Sequence, residues 1–115
     1  MPEIDEFISA AADLEGATPD EVRGTNRRRR ISRSRQAAMW LAFKMTAKSL
    51  PALGRAFQRH HTTVLYGIQA YERYLANDPK AEARSIELLT RLLTEAALAN
   101  VANDNQPITK EDITR

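Results

Sequence analysis

Apolar residues recur along this chain at steps of three and four, and no stretch shows the two-residue alternation of a strand. Leu50, Leu53 and Phe57 make one such stripe; Val64, Ile68, Tyr71 and Leu75 make another, at steps of four, three and four. Between them lies a short polar break, Gln58 to His61. Ser49 can cap a helix, and Pro51 in the first turn gives up an amide that would have no partner there. Two short helices joined tightly, the second turning hydroxyls and imidazoles outward, read as a helix-turn-helix.

The flanking segments are helical too. Ile4, Phe7, Ile8 and Ala11 predict an amphipathic helix to about Leu14, stopped by Gly16. Thr18-Pro19-Asp20-Glu21 is a capping box with proline at the first helical position, so a short helix is expected over 19–23. Gly24 stands where a left-handed terminal residue would. Arg27-Arg28-Arg29-Arg30 reads as a loop too charged to pack. From Ser32 or Arg33 to about Lys48 the chain is apolar on most sides, which marks a buried central helix. Asn77-Asp78-Pro79 ends the recognition helix and starts another, with Asp78 as cap. That last helix, about 80–100, carries Ile86, Leu89, Leu93 and Ala96 as its stripe, with Leu88 and Leu92 flanking it. It is expected to cover the domain's own core or to pair with a second copy. The tail, with Pro107, is expected to be loose.

Composition narrows the class. The 115 residues amount to one domain or one domain plus tails, long enough to bury roughly two-thirds of the unfolded chain's surface. No cysteine is present, so disulfides and thiolate zinc sites are excluded, and neither a secretory signal nor a membrane-length apolar run is found. A cytoplasmic, nucleoid-associated protein is the expectation. The net charge of +2 conceals a strong asymmetry. Residues 1–22 hold seven acids and no Lys or Arg, whereas residues 23–35 hold seven arginines and no acid. A positive field so localised is the footprint of a nucleic-acid site.

At the central residues the chain resembles a known family. Leu50-Pro51-x-Leu53-Gly54-x-Ala56-Phe57 followed by His61-Thr62-Thr63-Val64-Leu65 is similar to the C-terminal DNA-binding domain, domain IV, of the bacterial replication initiator DnaA. Arg35-Gln36-x-Ala38-Met39 and Pro19-Asp20-Glu21-Val22-x-Gly24 fall in the matching order, and the likeness covers roughly residues 8–76. It implies an all-α, Trp-repressor-like helix-turn-helix domain over 1–78, with an added helix over 79–102 and a tail over 103–115.

A recognition helix enters the major groove with its first residues at base edges, here His60, His61, Thr62 and Thr63. A threonine methyl fits a thymine methyl, and imidazole or hydroxyl bonds base edges or phosphate. The resemblance implies that His61 and Thr62 touch bases and that Thr63 and Tyr66 lie near the backbone. Arg27, Arg28, Arg29 and Arg30 suit phosphates or a narrow minor groove. By the resemblance, Arg27 aligns best with the family's minor-groove arginine. Arg35 and Gln36 match residues that reach a base edge and a phosphate, and Leu50 and Pro51 match a helix start that docks on phosphate. Arg59, in the turn, joins the contact set. Three departures stand out. The turn is one residue shorter, with Gln58-Arg59 in place of a glycine pair plus arginine. His60 replaces an aspartate, and Phe43 replaces a lysine that some members turn toward the groove. A good base contact is worth about 1–3 kcal/mol of discrimination, so replacing two would move the preferred site.

Enzymatic and cofactor chemistry find no support. His60 and His61 are adjacent and project about 100° apart on a helix, so they share no metal face. No phosphate-binding glycine loop occurs, and no small-molecule substrate, cofactor or membrane partner is expected. Without the initiator's ATPase domain, the 115 residues are not expected to melt an origin by themselves. The expected function is sequence-specific binding of double-stranded DNA, as a small transcriptional or replication regulator. The rival is an interaction module that uses helix 80–100 for a homodimer or a protein partner, with the acidic 1–22 segment neutralising the arginines. Single-strand RNA binding ranks last, because residues 23–35 contain no stacking aromatic.

Overall fold

A computed structural model describes residues 3–104, with side chains through Ala99. Six helices follow one another: α1 (Ile4–Glu15), α2 (Pro19–Arg23), α3 (Arg29–Met45), α4 (Leu50–Phe57), α5 (His61–Asn77) and α6 (Pro79–Asp104). Among the described residues there is no strand. α6 runs two residues into the tail expected over 103–115, and the rest of that tail, 105–115, lies outside the described residues.

The core is built on α3, whose residues Ala37 to Ala42 are all buried. Two neighbours, α1 and α5, cover it from different sides. Small residues let α1 and α3 approach closely: Ala11, Ala12, Ala37 and Ala38 are fully buried, and Ser34 Oγ donates to the Ala11 carbonyl at 2.6 Å. Against α5 the filling is aromatic, with Trp40 and Tyr71 rings 5.4 Å apart. Gly67 gives the α3–α5 crossing its closeness; a Cβ there would stand 2.7 Å from Met39 Sδ.

Local chemistry sets most helix ends. Gly16 closes α1 at φ 70°, in the left-handed region that glycine favours. The Thr18–Glu21 capping box starts α2, Ser49 Oγ accepts from Ala52 N–H to start α4, and Asp78 Oδ1 accepts from Ala81 N–H to start α6. The turn of the helix-turn-helix is closed by Arg59 N–H donating to the Gly54 carbonyl at 2.8 Å. Gln58 sits in that turn at φ 55°, performing in left-handed conformation what a glycine would do at less cost.

Three sequence expectations are corrected. The central helix begins at Arg29 rather than Ser32 or Arg33 and ends at Met45, so half of the arginine run is helical. Gly24 is extended, not left-handed. The inward stripe of α6 is Ala81, Ser85, Leu88 and Leu92, while Ile86 and Leu93 of the expected stripe stay half-exposed. The cause is the one-residue link at Asp78, which sets the rotation of α6 by where α5 ends. Ser85 hides the true stripe from a reading of hydrophobicity, yet it belongs there because its hydroxyl bonds the buried Tyr71 hydroxyl at 2.6 Å. The first half of α6 thus covers the same core as α1 and α5.

Candidate nucleic-acid interface

The N-terminus of α3 breaks the usual rules of helix design. A helix start is the positive end of the macrodipole and favours acids or side-chain oxygens. Here Arg28 is the capping residue without a side-chain bond, and Arg29 and Arg30 form the first turn with no acid. Only Asn26 Oδ1 eases the start, accepting from Arg28 N–H at 2.9 Å. The ion pairs among the described residues are Arg23 with Asp5 and Asp20, and Lys44 with Glu72. Among those residues no carboxylate pairs with Arg27, Arg28, Arg29 or Arg30, so the acidic leading segment does not neutralise them.

The four arginines diverge. All are exposed, but Arg30 turns away to donate to the Gly16 carbonyl at the end of α1. Arg27 and Arg29 line a hollow of about 370 Å³ together with Arg33, Gln36 and Tyr74. Ser32, Gln36 and Ala70 are shared with an adjoining hollow of about 450 Å³, which continues to Thr63, Tyr66 and Arg73 on α5. One continuous face therefore joins the start of α3 to the outer side of α5. Along it α5 presents Thr63, Tyr66, Ala70 and Arg73 at helical steps of three, four and three. Tyr66 is 66% exposed.

At the tip of α5, His60 and His61 are exposed and Thr62 is half-buried. His60 is the cap: its Nδ1 accepts from Thr62 N–H at 3.2 Å and lies 2.7 Å from Thr62 Oγ1. The two imidazole rings lie 4.3 Å apart. Leu50 is half-buried against the core and Pro51 is exposed at the start of α4; neither lines the two hollows.

Arg35 and Arg59 also line the larger hollow, and their guanidinium groups are bonded to carbonyls of the chain. Arg35 Nε donates to the Val22 carbonyl at 2.8 Å, and its Nη2 donates to the Glu21 and Asn26 carbonyls at 3.1 and 3.2 Å. Arg59 Nη2 donates to the Gly24 carbonyl at 2.6 Å and Nη1 to the Phe57 carbonyl at 3.1 Å. Together they fasten the 24–28 loop to the end of α2 and to the helix-turn-helix turn. Burial, and then the neighbouring Arg59 cation, lower the Arg35 pKa below its ordinary value, which still leaves a guanidinium charged.

The face also holds two cations that the sequence reading did not name as contacts, Arg33 and Arg73. Arg33 stacks on Tyr74 at 3.9 Å from the ring centroid and borders the same face. Its position four residues after Arg29 was the available signal; for Arg73 it was the seven-residue step from Tyr66. No group of three or more metal-ligating side chains occurs among the described residues, and no helix there is long and apolar enough to cross a membrane.

The same segment matches a protein family. The model of the bacterial DnaA protein helix-turn-helix fits residues 4–70, from the first turn of α1 to the middle of α5. The chain belongs to that family. Over 91 residues, 78% of the chain, it is 41% identical to the chromosomal replication initiator protein DnaA of Caulobacter sp. strain K31, covering 18% of that protein. The DnaA of Thermus thermophilus is 39% identical over 92 residues, with 79% of this chain and 20% of that protein aligned. That of Cereibacter sphaeroides is 38% identical over 91 residues, 78% of this chain and 20% of its own. The chain thus spans about a fifth of the length of the DnaA proteins it matches.

Proposed function

We propose that the chain binds double-stranded DNA in a sequence-specific manner, acting as a small regulator of transcription or replication. The observation that carries this reading is the continuous face from the uncapped, arginine-crowned start of α3 to the exposed side of α5. Positive charge gathered at a helix start, without acids to balance it, costs stability unless an anion arrives. A phosphate backbone supplies that anion along a line, and the face is a line.

The major groove, about 12 Å wide, admits one helix. In this reading the first turn of α5 enters it, with His60, His61 and Thr62 at base edges and Thr63 and Tyr66 toward the flanking backbone. Arg27, Arg28 and Arg29 take adjacent phosphates or a narrow minor groove, joined by Arg33, Gln36 and Arg73. Arg35 and Arg59 act as positioning residues that hold the loop and the turn at a set separation. Pro51 and the start of α4 offer a further phosphate contact through the helix dipole. The name of the relatives, chromosomal replication initiator protein, directs attention to replication-control sites as first targets.

The test is selection of bound sequences from a random duplex library, followed by fluorescence anisotropy against salt. Neutralising about five phosphates gives a log–log slope near −4 to −5. Thr62→Ala relaxes sequence preference, whereas Arg28→Ala weakens all duplexes alike. Affinity without salt dependence overturns the reading, as does an unenriched pool.

The half-exposed Ile86 and Leu93 on the outer side of α6 support a second reading, in which two copies pair through this helix. Sedimentation equilibrium decides it, and a dimer on DNA would select a spaced palindrome.

A further inference from the structure

The cap of α5 fixes which hydrogen-bonding groups its tip offers to the outside. Thr62 N–H can only donate, and it points at His60 Nδ1 from 3.2 Å. Taken as the acceptor of that bond, Nδ1 is bare, because a proton on it would face another donor at the positive end of a helix. The same nitrogen lies 2.7 Å from Thr62 Oγ1, and in this tautomer the hydrogen in that contact is the threonine's own. Two consequences follow. In this tautomer the neutral imidazole carries its proton on Nε2. The Thr62 oxygen has used its proton and has only lone pairs left to offer. The His61 ring lies beside that of His60, with centroids 4.3 Å apart and a tilt of 31°.

We propose that His60 and Thr62 form one reading unit of fixed polarity, with His60 Nε2–H donating to a purine N7 and Thr62 Oγ1 accepting from an adjacent base amino group. In the major groove N7 of guanine and adenine is an acceptor, while cytosine N4 and adenine N6 are donors. A step in which a purine adjoins a cytosine or adenine satisfies both members at once. A thymine beneath Thr62 offers a carbonyl to a group that has no proton to give, so it is rejected except for its methyl contact. The unit rests on the DNA-binding reading above and sharpens it, since it names which base atoms set preference at two positions.

Two measurements test it. The first needs no DNA: long-range proton–nitrogen NMR spectra of the free protein at neutral pH report the His60 tautomer. A bare Nδ1 and protonated Nε2 are expected; a protonated Nδ1 overturns the proposal. The second uses the best duplex from the selection, with each purine replaced in turn by its 7-deaza analogue. One position loses about tenfold in affinity for the unsubstituted protein, the scale of one good base contact. That loss vanishes in His60→Asp, which keeps a helix cap but offers only acceptors. Thr62→Val keeps the deaza effect while losing discrimination against thymine at the neighbouring position. Duplex binding with no deaza-sensitive purine, or one equally sensitive in His60→Asp, refutes the reading unit and leaves DNA binding intact. A protein that binds no duplex removes both.

Discussion

Gly54→Ala is the substitution that interrogates the helix-turn-helix most directly. Gly54 lies within α4, where alanine would ordinarily gain about 1 kcal/mol over glycine in helix propensity. The turn reverses that sign. A Cβ at position 54 would stand 2.7 Å from the Arg59 carbonyl oxygen, 3.1 Å from His61 N and 3.2 Å from His61 Cα. All three are backbone atoms, so no rotamer change relieves the overlap. The turn and the first residues of α5 must move outward by about half an ångström, against the Arg59 N–H bond to Gly54 that closes the turn. Overpacking of this kind costs about 1–3 kcal/mol, and more where the neighbours are rigid. Because the neighbours are backbone, the upper half of that range applies, about 2–3 kcal/mol, and subtracting the propensity gain leaves a net loss of about 1–2 kcal/mol, or a Tm lowered by roughly 4–16 °C in a domain of this size. Gly67→Ala is the internal control. Its Cβ also meets an atom at 2.7 Å, but that atom is Met39 Sδ, part of an unbranched side chain that can repack within the core, whereas backbone cannot. Circular dichroism melts of both variants decide the matter, with anisotropy on the selected duplex as the second readout. Gly54→Ala is expected to lose stability and duplex affinity together, and Gly67→Ala to lose much less of either. A Gly54→Ala melt at or above that of the unsubstituted protein would refute the close approach of turn and helix.

Three further outcomes are expected. Arg59→Ala removes two guanidinium bonds, to the Gly24 and Phe57 carbonyls, and lowers stability by about 1–3 kcal/mol in urea titration; Arg59→Lys restores only part, because one ammonium does not reproduce the fork. Arg28→Ala, on an exposed side chain, leaves the same titration within about 0.5 kcal/mol, so equal losses in the two variants would contradict the positioning role. Burial pushes the Glu15 carboxyl above its ordinary value, outweighing the attraction of Arg33 and Arg84. The folded chain then holds that proton more tightly than the unfolded one, and stability falls as pH rises from the ordinary carboxylate range through the raised value. Glu15→Gln is therefore expected to raise the melting temperature at pH 7 and to lose that advantage at pH 4; a gain equal at both pH values would exclude the burial argument. On α6, Leu88→Ala is expected to cost about 2–4 kcal/mol and Leu93→Ala under about 1, since Leu88 is 5% and Leu93 49% exposed. Comparable losses in the two would return the helix to the rotation expected from its sequence.

Local physics accounts for what could be read from the chain alone. The capping box at Thr18, the caps at Ser49 and Asp78, the glycine at 16 and the apolar periods each act within about four residues. They therefore specified the helices and the helix-turn-helix without knowledge of the fold. The clustering of arginines and the start of α5 marked the candidate interface for the same reason, because charge and helix termini are sequence-local.

Long-range contact decided the rest. Arg59 finds its carbonyl 35 residues away at Gly24, and Arg35 reaches back 13 residues to Val22; no local pattern announces either contact. Arg30 leaves its neighbours for the same reason, drawn to the end of α1. The rotation of α6 depended on where α5 ends and on a buried tyrosine needing a hydroxyl partner, so Ser85 faces the core where the sequence reading placed Ile86. Sequence fixes which groups are present and how nearby ones fold, whereas the partner of a long polar side chain is chosen by whatever unsatisfied carbonyl the packed chain brings within reach.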